Sequence, residues 1–271
     1  MPELPEVETI RQQLEKEIIG KRVKEIEVKD PRMINVPAKE FKETLEGAKV
    51  KDIRRRAKLL IVDFDNGYSL IVHLKLTGNL IYNQKADKRT NVCFIFRGGD
   101  RLVYQDIRKL GYMKLMRTDL AKDTIRAHNF GPEALDKNFT LEEFQKKISQ
   151  KKKSKIKPLL MDQNFLAGIG NVYSQEACFR AGIKPQRLAS SLSKEEVKRL
   201  YEELRKILVQ ALKHRGSSVD DYLDIYGKKG SFEPFLQVYG RKGKPCFRCG
   251  KKIQLIKLGG RSTYFCSNCQ K

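Results

Sequence analysis

Two Cys-x2-Cys pairs near the end of the 271-residue chain constrain its fold more than any other feature. The pairs are Cys246 with Cys249 and Cys266 with Cys269, and sixteen residues separate them. Two thiolate pairs at this spacing are typical of the two knuckles that hold a structural zinc ion. Two disulfides are the alternative, which the spacing and the lack of secretory features disfavour. We therefore expect one structural Zn²⁺, held by these four cysteines in a C-terminal hairpin.

The chain has a large excess of positive charge. Lysine and arginine number 56 against 33 aspartate and glutamate, which gives a net charge of +23 and a pI near 9.8. This balance favours a polyanionic partner, and nucleic acid is the first candidate. A membrane surface is the other polyanion, but no apolar run approaches the roughly 18 residues of a spanning helix, and the acidic start is unlike a signal peptide. We expect a cytoplasmic protein that binds nucleic acid and not a membrane.

Hydrophobic spacing in the first part of the chain predicts one helix followed by antiparallel strands. Apolar residues recur at three- and four-residue steps from Leu4 to Ile18 and stop before Gly20, as in an amphipathic helix. Asn66-Gly67 and Gly98-Gly99 are turn sequences between strand patterns. The strand patterns lie at Arg22–Val28, Lys49–Arg54, Lys58–Phe64, Tyr68–Leu74, Val92–Phe96 and Arg101–Gln105. An antiparallel sandwich or barrel up to about residue 118 fits this pattern.

The second part of the chain is predicted to be helical. Helical patterns lie at 141–149, 155–163, 172–181 and 194–214. Between two of them, Leu166–Asn171 is too rich in glycine for a helix interior. Its backbone amides could bind a phosphate, or its glycines could allow close helix packing. The mixed segment 119–140 contains Gly131-Pro132 and is predicted to hold an interdomain hinge. The fold class is therefore α+β with more than one domain.

The first residues after Met1 are Pro2 and Glu3, which suit covalent catalysis. Removal of the initiator methionine would expose a secondary amine at Pro2, and α-amino groups titrate near roughly 7.7–8.0, so part of the amine is neutral and nucleophilic at physiological pH. Attack of this amine on a sugar carbon gives an iminium that permits elimination, and Glu3 could supply or accept the protons. The alternative is that Pro2 and Pro5 only begin a helix.

These motifs together resemble the bacterial formamidopyrimidine-DNA glycosylases, which share a superfamily with endonuclease VIII. The resemblance runs nearly from end to end. It rests on PELPEVET at 2–9, RRAK at 55–58, VHLKLTG at 72–78, QDIRKLG at 105–111, GPE at 131–133, KKKSKIKPLLMDQ at 151–163, AGIGNVYSQE at 167–176, LQVYGRKGKPC at 236–246 and RSTYFCSNCQK at 261–271.

The resemblance implies a fold of four parts. These are an N-terminal catalytic β-sandwich with its N-terminal helix at 1–118, a hinge at 119–140, a helix-two-turn-helix domain with a lesion-covering loop at 141–235, and a zinc finger at 236–271. It also implies a monomer that binds double-stranded DNA containing oxidised bases or abasic sites.

The resemblance assigns roles to individual residues. Pro2 matches the nucleophile that attacks C1′ of the damaged nucleotide, Glu3 the acid and base, and Lys58 the essential lysine near the lesion. Arg261 matches the zinc-finger arginine that grips phosphates around the lesion. The remaining DNA-binding residues are expected to be His73, Lys75, Leu76, Arg89, Arg108, Leu110, Lys152, Asn171 and Tyr239.

Four positions depart from the family pattern. The family fills the space of the extruded base with a wedge of methionine, arginine and phenylalanine, which correspond here to Leu76, Arg108 and Leu110. Leucine lacks the flat ring that stacks on neighbouring bases, although an apolar side chain still acts as a wedge. Arg89 stands in a segment where the family has a His-Asp-His sequence, and Asp220 replaces the basic residue of the covering loop.

The resemblance implies an enzyme with two activities. A DNA glycosylase would excise oxidised purines such as 8-oxoguanine and formamidopyrimidines through a Pro2 Schiff base, and its AP lyase activity would then cut the strand by β,δ-elimination. Two alternatives are an endonuclease VIII-like glycosylase for oxidised pyrimidines, suggested by the two leucines and Asp220, and a noncatalytic DNA-binding homologue.

Overall fold

A computed structural model describes residues 2–219 and 221–271, so Met1 and Asp220 lie outside the described part of the chain. The chain forms two compact units. The N-terminal unit consists of the residues up to Asn129 together with Leu212–Glu233, and the C-terminal unit consists of Phe130–Ala211 with Pro234–Lys271. The segment that contains the predicted covering loop is thus divided between the two units.

Eight strands build the described part of the N-terminal unit. They are β1 (Val23–Val28), β2 (Val50–Arg56), β3 (Leu59–Phe64), β4 (Tyr68–His73), β5 (Gly78–Tyr82), β6 (Thr90–Phe96), β7 (Arg101–Asp106) and β8 (Tyr112–Arg117). They form two four-stranded antiparallel sheets, with the order β1-β6-β7-β5 in one and β2-β3-β4-β8 in the other. The predicted β-sandwich is confirmed.

The core of this unit contains side chains from both sheets. In β3, Leu60 and Val62 point to the core, as the period of two along a strand requires. Phe94 of β6 belongs to the same cluster. The Asn66-Gly67 turn joins β3 to β4 in register, and Gly67 has φ +83°, a value that glycine adopts without a steric penalty.

Sequence patterns missed two of the eight strands. β5 begins at Gly78, which is a turn residue by composition, and its five residues are few for a periodic pattern. β8 alternates buried Met113 and Leu115 with exposed Lys114, but it directly follows a loop and has no strong turn sequence. Both strands take their places by pairing along the whole length of an existing neighbour, β7 for β5 and β4 for β8.

Three helices belong to the N-terminal unit, namely α1 (Leu4–Ile18), α2 (Ala38–Leu45) and α3 (Thr118–Ala127). The predicted bounds of α1 are confirmed, and its apolar face joins the core through Val7, Ile10 and Leu14. α2 was not predicted from the sequence. α3 begins one residue before the segment 119–140 that is predicted to hold the hinge and covers the first part of that segment. The hinge and the predicted domain boundaries remain predictions.

The C-terminal unit contains the other helices and a small hairpin. The helices are α4 (Leu141–Ser149), α5 (Ile156–Met161), α6 (Asn171–Arg180) and α7 (Lys194–Lys213), and the hairpin strands are β9 (Gln254–Leu258) and β10 (Arg261–Phe265). All four helices match their predictions within two residues at each end. Ser193 and Glu196 cap the start of α7 reciprocally, since each side chain accepts the other's backbone N–H. Among the described residues, no helix is both long and apolar enough to cross a membrane.

Candidate active site and metal centre

The start of α1 holds the two candidate catalytic residues in fixed positions. Pro2 and Glu3 are both buried, and Glu3 is only 1% exposed. The backbone N–H of Glu3 donates to Oε2 of Glu6 at 2.8 Å, which satisfies one of the donors that a helix start leaves without a partner. The helix macrodipole places partial positive charge at this end, where it stabilises a carboxylate.

Glu6 also holds the start of the predicted covering loop, about residues 217–235. Its Oε1 accepts the backbone N–H of Ser217 at 2.8 Å, so one carboxylate bridges Glu3 and residue 217. A Cβ atom on Gly216 would lie 2.5 Å from that same oxygen, and Gly216 has φ +79°. Glycine is therefore required there on two grounds. Sequence reasoning missed Glu6, although a Glu three residues after a helix N-cap is a recognised capping signal.

Lys58 follows a turn that is tied to α1. The side chain of Lys58 is buried, and Ala57 before it has φ +53°. Arg55 donates from Nη1 to the carbonyl of Ala57 at 2.8 Å and from Nε to Oε2 of Glu8 at 2.8 Å. The Arg55 guanidinium thus connects the turn before Lys58 to the helix that begins after Glu3. No local sequence pattern predicts this link.

His73 and Lys75 lie at the start of the loop between β4 and β5. Nδ1 of His73 accepts the N–H of Lys75 at 2.9 Å, so Nε2 carries the proton in the neutral ring. Burial, assisted by the nearby charges of Lys75 and Lys58, lowers the pKa of His73 to about 3. His73 is therefore a neutral Nε2–H donor across the physiological pH range.

The three candidate wedge residues lie on two neighbouring loops. Leu76 is half-buried in the β4–β5 loop, whereas Arg108 and Leu110 are exposed in the β7–β8 loop, Leu110 at 48%. Buried Asp106 binds both loops through its carboxylate. The tertiary structure thus brings Leu76 to the other two wedge candidates.

Arg89, which is exposed, pairs with Asp87 at 3.0 Å.

In the C-terminal unit, Asn171 is the first residue of α6, directly after the glycine-rich segment. Its Oδ1 accepts a hydrogen bond from Nζ of the fully buried Lys157 at 2.5 Å, and its Nδ2 donates to the carbonyl of Ser262 at 3.3 Å. This second bond places the β9–β10 hairpin, and with it the exposed Arg261, beside Asn171. Lys152 is exposed on the segment before α5.

Tyr239 is held by a residue that the sequence did not single out. Glu176 of α6 is fully buried, and its carboxylate accepts the backbone N–H groups of Gln237, Val238 and Tyr239 at 2.8–2.9 Å. Burial raises the pKa of Glu176, and these three bonds act against that rise. The ring of Tyr239 packs against Tyr264 with 5.6 Å between centroids.

The four cysteines form a metal centre. Their sulfur atoms all lie within 4.8 Å of one another, with 3.8 Å between Cys246 and Cys269 and 3.5 Å between Cys249 and Cys266. A tetrahedral zinc with Zn–S bonds of about 2.3 Å requires sulfurs about 3.8 Å apart, so the set fits Zn²⁺. Backbone N–H groups of Arg248 and Cys269 donate to the sulfurs of Cys246 and Cys266. The other two cysteines, Cys93 and Cys178, are buried and separate from this centre.

Three family models match the chain in order. They are the formamidopyrimidine-DNA glycosylase N-terminal domain over residues 1–113, the formamidopyrimidine-DNA glycosylase H2TH domain over 130–222, and a zinc finger found in FPG and IleRS over 243–271. This succession of a β-sandwich, a helix-two-turn-helix domain and a four-cysteine finger defines a class of DNA glycosylases.

Relatives and solved structures agree with the family models. Formamidopyrimidine-DNA glycosylase of Pelotomaculum thermopropionicum is 43% identical and covers 100% of this chain and 99% of its own, and that of Bacillus cereus is 40% identical with the same coverage. The Lactococcus lactis Fpg in complex with abasic-site DNA matches with a TM-score of 0.92 and 36% identity over 99% of each chain. A variant of that enzyme bound to Fapy-dG DNA also matches at 0.92 and 36%, over 100% of each chain. The chain belongs to the formamidopyrimidine-DNA glycosylase family.

Proposed function

We propose that the chain excises oxidised purines from double-stranded DNA and then cuts the strand at the abasic site, with Pro2 as the nucleophile. The observation that carries this proposal is the position of Pro2 and Glu3, buried side by side at the start of α1, with the backbone of Glu3 held by Glu6. The Pro2 nitrogen forms a bond to C1′, and the bond from C1′ to the base breaks with its electron pair going to the base. Pro2 then gives up its N–H proton, and the bond from C1′ to the ring oxygen O4′ breaks as O4′ takes a proton, which leaves an iminium between C1′ and the Pro2 nitrogen. The iminium acidifies the C–H bond at C2′, so loss of that proton eliminates the 3′-phosphate.

Glu3 moves the protons in this scheme. It donates a proton to the leaving group when the bond to C1′ breaks, and it later accepts a proton from the sugar during elimination. Lys58 lies in the turn anchored by Arg55, and its cation stabilises negative charge that develops near the lesion. The bound Zn²⁺ is structural, because four cysteine ligands leave no open position for a substrate.

Duplex binding is assigned to both units. In the N-terminal unit, His73, Lys75 and Arg89 are assigned to phosphates, and Leu76, Arg108 and Leu110 to the space of the extruded base. In the C-terminal unit, Lys152, Asn171, Tyr239 and Arg261 are assigned to the backbone around the lesion. We expect a monomer that acts in the cytoplasm on chromosomal DNA, with an affinity whose log–log salt slope is about −0.9 per phosphate neutralised.

Borohydride trapping on an 8-oxoguanine duplex tests the chemistry. The wild-type chain, checked by mass spectrometry for loss of Met1, should form a covalent complex and nick the strand. Pro2→Gly should lose most of the trapping, and Glu3→Gln should bind the duplex but turn over slowly. Glu15→Gln, the same change on the exposed side of α1, is the control and should leave both activities intact. Unchanged trapping by Pro2→Gly, or full activity of Glu3→Gln, would contradict the assignment.

A panel of lesions against each of the four opposite bases tests the substrate class. We expect oxidised purines to be excised faster than oxidised pyrimidines, with weaker preference among opposite bases because leucine replaces an aromatic ring at Leu110. Faster excision of oxidised pyrimidines would favour the endonuclease VIII-like alternative. Binding without any excision would favour a noncatalytic homologue.

A further inference from the structure

Two short loops of the N-terminal unit, which we call the wedge loops, share an unusual backbone geometry. The first is residues 74–77 and the second is residues 107–111, and they carry the three proposed wedge side chains. Each contains one lysine in the left-handed region, Lys75 at φ +52° and Lys109 at φ +53°. Residues with side chains adopt this conformation rarely and keep it only where surrounding contacts fix it. Contacts around each loop must therefore hold its backbone in this conformation.

The carboxylate of Asp106 binds both wedge loops at once. Asp106 is 1% exposed. Its Oδ1 accepts the hydroxyl of Thr77 at 2.5 Å and the N–H of Arg108 at 3.2 Å, while its Oδ2 accepts the N–H of Gly111 at 2.7 Å. The Arg108 N–H also donates to the Thr77 hydroxyl oxygen at 3.1 Å. The first loop is therefore joined to both ends of the second through one buried carboxylate.

Close packing at Gly111 holds this arrangement in place. A Cβ atom on Gly111 would lie 2.1 Å from the Tyr104 hydroxyl and 2.7 Å from the carbonyl of His73. The N–H of Asp106 in turn donates to Oδ1 of Asn91 at 2.5 Å, so the carboxylate sits on an anchored backbone. The carboxylate binds the second loop through the backbone N–H groups of Arg108 and Gly111, beneath the exposed side chains of Arg108 and Leu110.

We propose that Thr77 and Asp106 are positioning residues that lock the two wedge loops into one body, so that Leu76, Arg108 and Leu110 enter the duplex together. The proposal rests on the proposed function. Extrusion of a base requires the vacated space to be filled at the same time, and side chains on independently moving loops would fill it less often. The two leucines have no aromatic ring to stack, so their effect depends more on where the backbone holds them.

Thr77→Val, with Thr77→Ser as its matched partner, tests this lock. Valine has nearly the shape of threonine but lacks the hydroxyl that binds Asp106, whereas serine retains it. A hydrogen bond to a buried carboxylate is lost, so we expect single-turnover excision of 8-oxoguanine by Thr77→Val to fall about tenfold. Thr77→Ser should stay within about twofold of wild type. The KM for lesion DNA should change little, because the phosphate contacts are intact.

Two further readouts separate positioning from general damage to the fold. Trapping at a preformed abasic site, where no base has to leave the stack, should be nearly normal in Thr77→Val. The fluorescence of 2-aminopurine placed beside the lesion should rise less than with wild type, because wedge insertion is impaired. Asp106→Asn is an independent variant: its single amide oxygen keeps either the bonds to Thr77 and Arg108 or the bond to Gly111, but not all three, so the same pattern is expected.

The proposal is overturned if Thr77→Val matches wild type in excision and fluorescence, or if Thr77→Ser is as slow as Thr77→Val. Equal losses at the lesion and at the abasic site would also overturn it, since they indicate a structural defect. Absence of excision by the wild type would instead refute the proposed function. The fluorescence measurement needs no excision, so in that case it still decides whether the loops act together.

Discussion

Replacement of Glu6 by glutamine should weaken the connection between the start of α1 and the start of the predicted covering loop. The Glu6 carboxylate is 2% exposed and accepts two backbone N–H groups, from Glu3 and from Ser217, each at 2.8 Å. Glutamine offers one oxygen and one NH₂ group. In either orientation of the amide, one of the two N–H donors therefore faces another donor.

The size of the effect follows from these two bonds. A buried donor left unsatisfied costs about 1–3 kcal/mol, and bonds to a charged acceptor are stronger than bonds to a neutral one. We expect Glu6→Gln to lower the free energy of unfolding of the N-terminal unit by about 2–3 kcal/mol. For a unit of about 150 residues, this corresponds to a fall in Tm of about 5–10 °C. Excision should also slow, because the backbone of Glu3 loses its anchor.

Thermal unfolding and single-turnover excision measure the two effects. Glu15→Gln is the matched control, since it makes the same change at a side chain that is 46% exposed and pairs with Arg11 near the surface, where ion pairs contribute little. Gly216→Ala reaches the same contact from the other side and should also destabilise, because its Cβ would meet the Glu6 carboxylate. If Glu6→Gln melts within about 1 °C of Glu15→Gln, the bridge has no energetic role and the reasoning fails.

Three other predictions concern the metal centre, the buried histidine and the turn before Lys58. Cys266→Ser should lower bound zinc well below one ion per chain by atomic absorption and weaken binding to lesion DNA, and unchanged zinc content would contradict the assigned centre. Folding lowers the pKa of His73 from 6.5 to about 3. Below pH 6.5 the unfolded chain therefore binds a proton at His73 that the folded chain does not bind. The free energy of unfolding should fall by about 2 kcal/mol between pH 7 and pH 5. Urea unfolding should show a smaller fall in His73→Gln, and an equal fall would show that His73 is not responsible. Arg55→Gln should slow excision with little change in DNA affinity, because Arg55 acts through the turn that carries Lys58. The control Arg117→Gln, at an exposed arginine, should have no effect on excision. An equal loss of excision in both variants would indicate only a general effect of charge.

Local signals were enough to predict much of the fold. The helix from Leu4 to Ile18 has a strong 3.6-residue period and ends near a glycine, and the Asn66-Gly67 turn fixes a hairpin register by itself. β5 and β8 were missed because each is stabilised by pairing with a strand distant in sequence, which no local window contains. The helix α3 was missed because most of its residues are polar and only Ala121 is buried, so it lacks the run of apolar residues that marks α1.

The sequence by itself determined the chemistry that is available: a proline and a carboxylate at the start, four thiolates in two pairs, and a basic surface for a polyanion. Those properties depend on residue identity and short spacing, which the sequence states directly. Only the tertiary structure decided how these groups are held. The Glu6 bridge to Ser217, the Arg55 link to Glu8 and the Asp106 lock all join residues by hydrogen bonds that form after distant segments pack. Their geometry depends on the whole sandwich, because each bond requires a donor atom and an acceptor atom from separate segments to lie about 3 Å apart.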